Sequence, residues 1–386
     1  MQLSVIILNY NVRYFLEQCV LSVQKALENI DGEIIVVDNL STDDSCAMMK
    51  TRFPNVKLIE NKANLGFPKG NNIGVAEAKG EYLCILNPDT VVAEDTFEKI
   101  LNTKNWQLNT GIIGCKLIDG TGNFLPESKR GVPTPWVAFT KIFGLYKFFP
   151  KSSFFNKYYA QHLSENQTGK VDILVGAFMV MKRDVYLEVG GFDENCFMYS
   201  DDIDLSYMVL KSGKSNYYFH ETSVIHYKGE STVRDGTYMK RFREAMQFFY
   251  KKHFGGSVVF DVLMRMGAFA FSVLKKSQQK QVVYTIAEYV LISSDENLKN
   301  KLENQLQKKV TRFNEINENA LFSQANFSGK NLEILLDNNS FSFQEIIAFL
   351  EQNKNRGYTF KIIPEAASFM IGSNSSNDRG EIIEIA

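Results

Sequence analysis

Four places in this sequence hold side chains able to do chemistry on a charged, oxygen-rich ligand. Asn87-Pro88-Asp89 follows the apolar run 82–86. Pro88 cannot donate a ladder hydrogen bond and disfavours helix at Asn87, so a strand must stop there. Asp89 is thereby left at the carboxyl end of a strand, the edge where ligands bind in open α/β sheets. A carboxylate there can hold a divalent cation and, through it, a diphosphate, although capping a helix that starts near Ala93 is a plainer use. Asp38 ends a second apolar run, 33–38, where it can accept hydrogen bonds from a ribose or a base, or from a turn with Asn39 and Ser41. Asp201, Asp202 and Asp204 crowd at the start of a helical pattern carried by Leu205, Val209 and Leu210. A helix N-terminus tolerates such charge. Adjacent carboxylates also resist double ionisation, which raises the proton affinity of one of them, as a general base needs. His226 stands among apolar residues, where a structural histidine is commoner than a ligand.

The elements that must position these groups are legible from periodicity. Residues 3–8, 33–38, 56–60, 82–86, 112–118 and 173–181 read as strands. Phe15, Leu16, Cys19, Val20 and Val23 recur at helical spacing, and 41–44 reads as a helix start. Short strand–helix alternation predicts parallel βαβ units and an α/β sheet. Asp38 and Asp89 then share one sheet edge. Residues 61–74 hold three glycines, four asparagines and two lysines, which predicts a polar loop leading into a helix. It is neither a P-loop nor a G-x-G-x-x-G turn.

In combination these motifs carry a resemblance. Ser4-Val5-Ile6-Ile7-Leu8-Asn9-Tyr10-Asn11, Val36-Val37-Asp38-Asn39, Asn64-Leu65-Gly66-Phe67 with Gly70-Asn71-Asn72, and Leu86-Asn87-Pro88-Asp89-Thr90 follow one another as in family-2 glycosyltransferases. The chain is most similar to the rhamnosyltransferase-like members, over residues 1–255. The resemblance implies a GT-A fold, a mixed sheet flanked by helices. It also implies a UDP- or dTDP-sugar donor and Mg²⁺ or Mn²⁺. It puts Asp38 at the nucleoside base, with Asn9, Asn39, Asn64, Gly66, Phe67, Gly70, Asn71 and Asn87 around the nucleotide sugar. Asp89 becomes the metal-binding acid of a D-x-D-type motif whose first acid is here Asn87, and His226 a second metal or diphosphate contact. Asp201-Asp202 stands where the family has Glu-Asp, so Asp202 takes the base role by position, beside Asp201. Gly176 resembles the small residue that lets donor sugar and acceptor approach.

The implied activity is inverting transfer to a hydroxyl of a lipid-linked or saccharide acceptor, in assembly of a surface polysaccharide at the inner face of the cytoplasmic membrane. A non-catalytic scaffold on the same fold is the alternative, and loss of carboxylates would favour it; Asp38, Asp89 and Asp202 are all present. A nucleotidyltransferase would carry a Gly-rich activating loop near the N-terminus, and residues 9–13 are not one.

The chain has 386 residues, so two domains are expected. We place a catalytic domain at 1–255, an amphipathic linker helix at 256–280 and a small Rossmann-like α/β domain at 281–386. Strands are predicted at 290–292, 332–336 and 358–363, a last edge strand at 381–385, and helices at 295–307 and 343–353. The turn at 293–297 has no glycine, which argues against a dinucleotide site. No chemistry is assigned to this unit; recruitment of a polysaccharide-assembly partner is its expected use. A net charge of −1 gives no reason to expect nucleic acid. Five scattered cysteines without a Cys-x-x-Cys pair fit free thiols in a reducing cytoplasm. The first residues lack the basic region and cleavage site of a signal peptide, and no uninterrupted apolar run is long enough to span a bilayer. Aromatics interleave with lysines at 133–159, and 258–274 is apolar around Asp261 and Arg265. The first could touch an acceptor or a membrane surface, or be a partly buried insertion with solvated lysines; the second could lie in a membrane interface or pack one domain on the other.

Overall fold

The computed structural model describes residues 1–134, 136, 137, 140, 148, 157–228, 236–255, 286–316, 331–374 and 380–385. The expected linker helix at 256–280 and most of the aromatic–lysine stretch lie outside them. No helix among the described residues is long and apolar enough to cross a membrane.

Nine strands build the first sheet: β1 (Leu3–Asn9), β2 (Gly32–Asp38), β3 (Lys57–Glu60), β4 (Tyr82–Leu86), β5 (Thr90–Val91), β6 (Thr110–Ile118), β7 (Gly169–Val171), β8 (Phe178–Lys182) and β9 (Ser215–His226). Their order is β3-β2-β1-β4-β8-β6-β9-β5, with β7 on β9. The βαβ half is parallel, as the alternation predicts; β8 then runs antiparallel to both β4 and β6. β1 is buried along its whole length because helices cover both faces. Leu3, Val5 and Ile7 pack with Phe15, Leu16 and Cys19 of α1 (Arg13–Ala26), while Ile6 and Leu8 pack on the other side with Val75 of α3 (Gly66–Ala76). Helix α2 (Ser45–Arg52) joins the α1 face through Met48 and Met49.

Three expectations need correction. Residues 173–181 are not one strand. β8 starts at Phe178, and residues 174–177 leave the ladder, so that the Gly176 N–H donates to Asp202 Oδ2 at 3.1 Å. The helix expected near Ala93 is delayed to α4 (Thr96–Leu101), because Thr90 and Val91 first pair with His226 and Ile225. The polar stretch 61–74 is loop only as far as Leu65. Its glycines let α3 lie close to the sheet: a Cβ at Gly70 would collide with Leu8, and one at Gly74 with Ile6. Helix α5 (Arg183–Glu188) follows β8. Helices α6 (Asp201–Lys211) and α7 (Gly236–Phe254) complete this half among the described residues.

The C-terminal region forms a second sheet of six strands: β10 (Glu288–Ile292), β11 (Val310–Phe313), β12 (Leu332–Asp337), β13 (Thr359–Ile363), β14 (Phe369–Gly372) and β15 (Glu381–Glu384). Their order is β11-β10-β12-β13-β14-β15; the first four are parallel, and β15 is the edge. Leu302 of α8 (Glu296–Leu306) packs with Leu291 and Leu335 on one face. Phe343 and Ile346 of α9 (Phe343–Gln352) pack with Val290 and Ile334 on the other, giving three layers. The α9 face is continuous with the α1 core of the first sheet. Polar groups lock the same junction. Glu94 accepts from the N–H groups of Phe343 and Gln344, both at 2.8 Å, and Lys116 pairs with Glu351 at 2.8 Å.

Candidate active site

The site grows from the carboxyl ends of β1, β2 and β4. Asn9 and Asp38 are register partners at the last step of the β1–β2 ladder. Asn9 Nδ2 donates to Asp38 Oδ2 at 2.8 Å, and the Ser41 N–H donates to Asp38 Oδ1 at 2.8 Å. The carboxylate is buried and fixed at both oxygens, so its aim is set before any ligand arrives. Asn39 donates to the carbonyl of Gly66 at 3.1 Å, and Asn64 Oδ1 accepts from the Gly66 N–H at 3.0 Å. Gly66 has φ +81°, a conformation natural to glycine, and Phe197 leaves no room for a Cβ there. Thus Asn9, Asp38, Asn39, Asn64 and Gly66 form one connected group. Gly70 and Asn71 are placed differently from what the resemblance implies. Gly70 faces Leu8, and Asn71 is fully buried and donates back to the Phe67 carbonyl at 2.9 Å, so both hold α3 rather than an open surface.

Asn87-Pro88-Asp89 ends β4 as expected, and Thr90 Oγ1 closes the turn by donating to the Asn87 carbonyl at 2.7 Å. Across it lies His226, the last residue of β9. Its Nε2 is 3.5 Å from Asp89 Oδ1 and 3.4 Å from Asn87 Nδ2. Asn87 Oδ1 and His226 Nδ1 are buried without a hydrogen-bond partner. Such orphans are costly in a closed protein and mark a place that expects a ligand or ion. Among the described residues, no group of three His, Cys, Asp or Glu side chains forms a metal shell. One carboxylate and one imidazole are a partial donor set. It fits an oxygen-seeking divalent cation whose remaining ligands are diphosphate oxygens and water.

Asp201 and Asp202 open α6, and both are buried. Asp202 Oδ2 accepts from Arg130 Nη2 at 2.5 Å as well as from Gly176. Burial opposes the Arg130 charge, yet Asp202 facing it raises its pKa, so the guanidinium stays charged. Burial, and then the charge of Asp202, push Asp201 up to about 7. The two acids therefore differ: one is paired with a cation, the other holds its proton into the neutral range. The third acid, Asp204, is structural. It binds Lys252 at 2.8 Å and His253 at 2.6 Å, tying α7 to α6. The Lys252 ammonium bridges Asp204 and Asp193. His220 shares a 2.8 Å hydrogen bond with Thr168.

Backbone contacts bring these groups together. A Cβ at Gly176 would sit 3.3 Å from Asp202 Cβ, 3.6 Å from Asp201 Oδ2 and 3.7 Å from the Phe67 ring. The next carbonyl, Ala177, accepts from the Asn87 N–H at 3.0 Å. Gly176 and Ala177 thus stand between the nucleotide-side loop, the Asp89 turn and the acid pair. Arg130 was missed from the sequence. It lies in a polar segment with no periodicity, and nothing local distinguishes it from a surface arginine.

The chain is similar to several known proteins. Residues 4–190 match the model of Glycosyl transferase family 2. A Mycobacterium tuberculosis N-acetylglucosaminyl-diphospho-decaprenol L-rhamnosyltransferase is 27% identical, over 60% of this chain and 78% of its own. The Escherichia coli rhamnosyltransferase WbbL is 28% identical, over 53% of this chain and 78% of its own. Among solved structures, the mannosyltransferase PcManGT from Pyrobaculum calidifontis, in complex with GDP-Man and Mn²⁺, aligns at a TM-score of 0.47. It is 17% identical, covering 72% of this chain and 76% of that one. The strand-end acids of β2 and β4 and the Gly66–Phe67 loop therefore all lie within residues 4–190, the part of this chain that matches Glycosyl transferase family 2.

Proposed function

We propose that the chain is an inverting, metal-dependent transferase. It moves a hexose or deoxyhexose from a UDP- or dTDP-sugar to a hydroxyl of a lipid-linked or polysaccharide acceptor. The observation that carries this is the joining of Asp202 to the Asp89 turn through the backbone of Gly176 and Ala177, with a third carboxylate, Asp38, held by Asn9 and Ser41 at the end of β2. Asp38, held by Asn9 and Ser41, binds the nucleoside, with Asn39, Asn64 and Gly66 shaping the loop beside it. Asp89 and His226 hold Mg²⁺ or Mn²⁺, which when bound neutralises charge on the departing diphosphate. Gly176 leaves room for the sugar beside the acids.

The Asp202 carboxylate takes the proton of the acceptor hydroxyl. That oxygen bonds to the anomeric carbon on the face opposite the diphosphate. The bond from that carbon to the diphosphate oxygen breaks, and its electron pair leaves with the nucleoside diphosphate. Orientation of the base by Arg130 and the Gly176 N–H supplies much of the rate. The names of the two rhamnosyltransferase relatives support a deoxyhexose donor, and that of the mycobacterial one supports a lipid-diphosphate acceptor.

The test is Asp202→Asn, assayed for transfer and, by calorimetry, for binding of UDP- and dTDP-sugars with Mn²⁺. Donor binding is expected to persist and transfer to vanish. Retained transfer would remove Asp202 from the base role.

A further inference from the structure

We propose that a neutral saccharide binds in the cavity between the segment after β6 and the C-terminal α/β unit. The proposal rests on the transferase reading only in making this saccharide part of the acceptor. The cavity measures 480 Å³, within the usual size of small-molecule sites. Its walls come from both halves of the chain: Asn123, Phe124 and Glu127 from the segment after β6, Lys228 from just beyond β9, and Tyr358 and Thr359 at the start of β13. Sugar hydroxyls are met by planar amide and carboxylate groups that accept or donate in pairs, and a ring's C–H face by an aromatic side chain. This lining offers both. It does not suit a phosphate, because the cation of the wall, Lys228, is paired with the carboxylate of Glu127.

The cavity is formed in advance. Its two walls meet so closely that a Cβ at Gly122 would collide with the Leu350 carbonyl, and one at Gly120 would lie 2.5 Å from Ser373 Oγ. A site held open by rigid walls loses little entropy when filled. It also adjoins the reaction centre along the chain. The segment that lines it continues into Arg130, which binds Asp202. Lys228 is two residues past His226, and the Tyr227 N–H between them donates to the Asp89 carbonyl at 3.0 Å. A saccharide seated here would lie against Glu127 and Lys228, whose near neighbours in the chain, Arg130 and Tyr227, contact Asp202 and Asp89.

The experiment uses the full chain without donor or metal. Methyl glycosides and disaccharides of glucose, galactose, rhamnose and N-acetylglucosamine are screened by saturation-transfer NMR, with inorganic phosphate as the anionic probe. At least one neutral saccharide is expected to bind. Its affinity should fall roughly tenfold in Asn123→Ala and in Tyr358→Leu, the scale of losing a hydrogen bond or a ring face. Nucleotide-sugar binding should be unchanged in the same variants, which also shows that they fold. Absence of any saccharide binding in a chain that binds donor would overturn the cavity assignment and leave the transferase reading intact. So would saccharide binding unaffected by both variants, or phosphate binding lost in them. Saccharide binding in a chain that binds no donor would keep the cavity and reject the transferase.

Discussion

Arg130 clamps Asp202. The guanidinium donates to Asp202 Oδ2 at 2.5 Å and to the Leu174 carbonyl at 3.2 Å, so one buried fork fixes both the acid and the bent segment before β8. Both bonds come from Nη2, and Arg130→Lys keeps the charge but ends the side chain short of that position and gives up the planar, rigid guanidinium that aims it. We expect kcat to fall by about 10–100-fold, the size seen when a group orienting a functional side chain is lost, with donor KM unchanged. Steady-state kinetics decides: equal kcat in the two proteins would show that Asp202 needs no clamp. Arg130→Ala leaves a buried carboxylate unpaired, at a cost of about 3–5 kcal/mol, and should show as a large fall in melting temperature.

Asp201 makes stability depend on pH. Its folded-state pKa is raised from 3.8 to about 7, by burial first and Asp202 second. In that window the folded protein binds more protons than the unfolded chain, so stability falls as pH rises. The contribution of Asp201 is fully present below its unfolded value and lost as pH rises through the folded one. Asp201→Asn should flatten the melting temperature between about pH 4 and pH 7. A variant with the same pH slope as the parent would contradict the assignment.

On the proposed function, His226 and Asp89 should make separable contributions to donor binding. In calorimetry with UDP- and dTDP-sugars, Asp89→Ala should abolish the Mn²⁺-dependent part of the affinity. His226→Ala should weaken it by about 10–100-fold, the scale on which such secondary metal contacts act. Metal-independent binding to both variants at parental strength would reject the pair as a metal site.

Glu94 connects the two halves. Its carboxylate receives two N–H groups at the start of α9, beside the Ser342–Glu345 capping box. Glu94→Ala removes both bonds and the favourable charge at a helix N-terminus, so unfolding free energy should drop by about 1–2 kcal/mol. Urea denaturation measures it; an unchanged midpoint would mean that apolar packing alone seats the second sheet.

What the sequence determined by itself is the order of elements and the place of the strand-end groups. Apolar runs ending in Asp38 and in Asn87-Pro88-Asp89 dictate strands that stop there, because proline and turn residues act within a few positions of themselves. Capping at Ser342 and the buried strand 332–336 were equally local. Tertiary structure decided which groups meet. Arg130 reaches Asp202 across 72 positions, His226 faces Asn87 across 139, and Glu94 caps a helix 249 residues away. Nothing near Arg130 in the chain encodes its partner, and residues 173–181 looked like one strand because their apolar pattern could not show that Gly176 turns its N–H to an acid. Lys252 meets its partners only in the fold: periodicity gives the face of a helix, while Asp204 comes from another helix and Asp193 from the segment before it. The separate behaviour of Asp201 and Asp202 likewise follows from burial and a distant guanidinium, since their neighbouring positions alone make them equivalent.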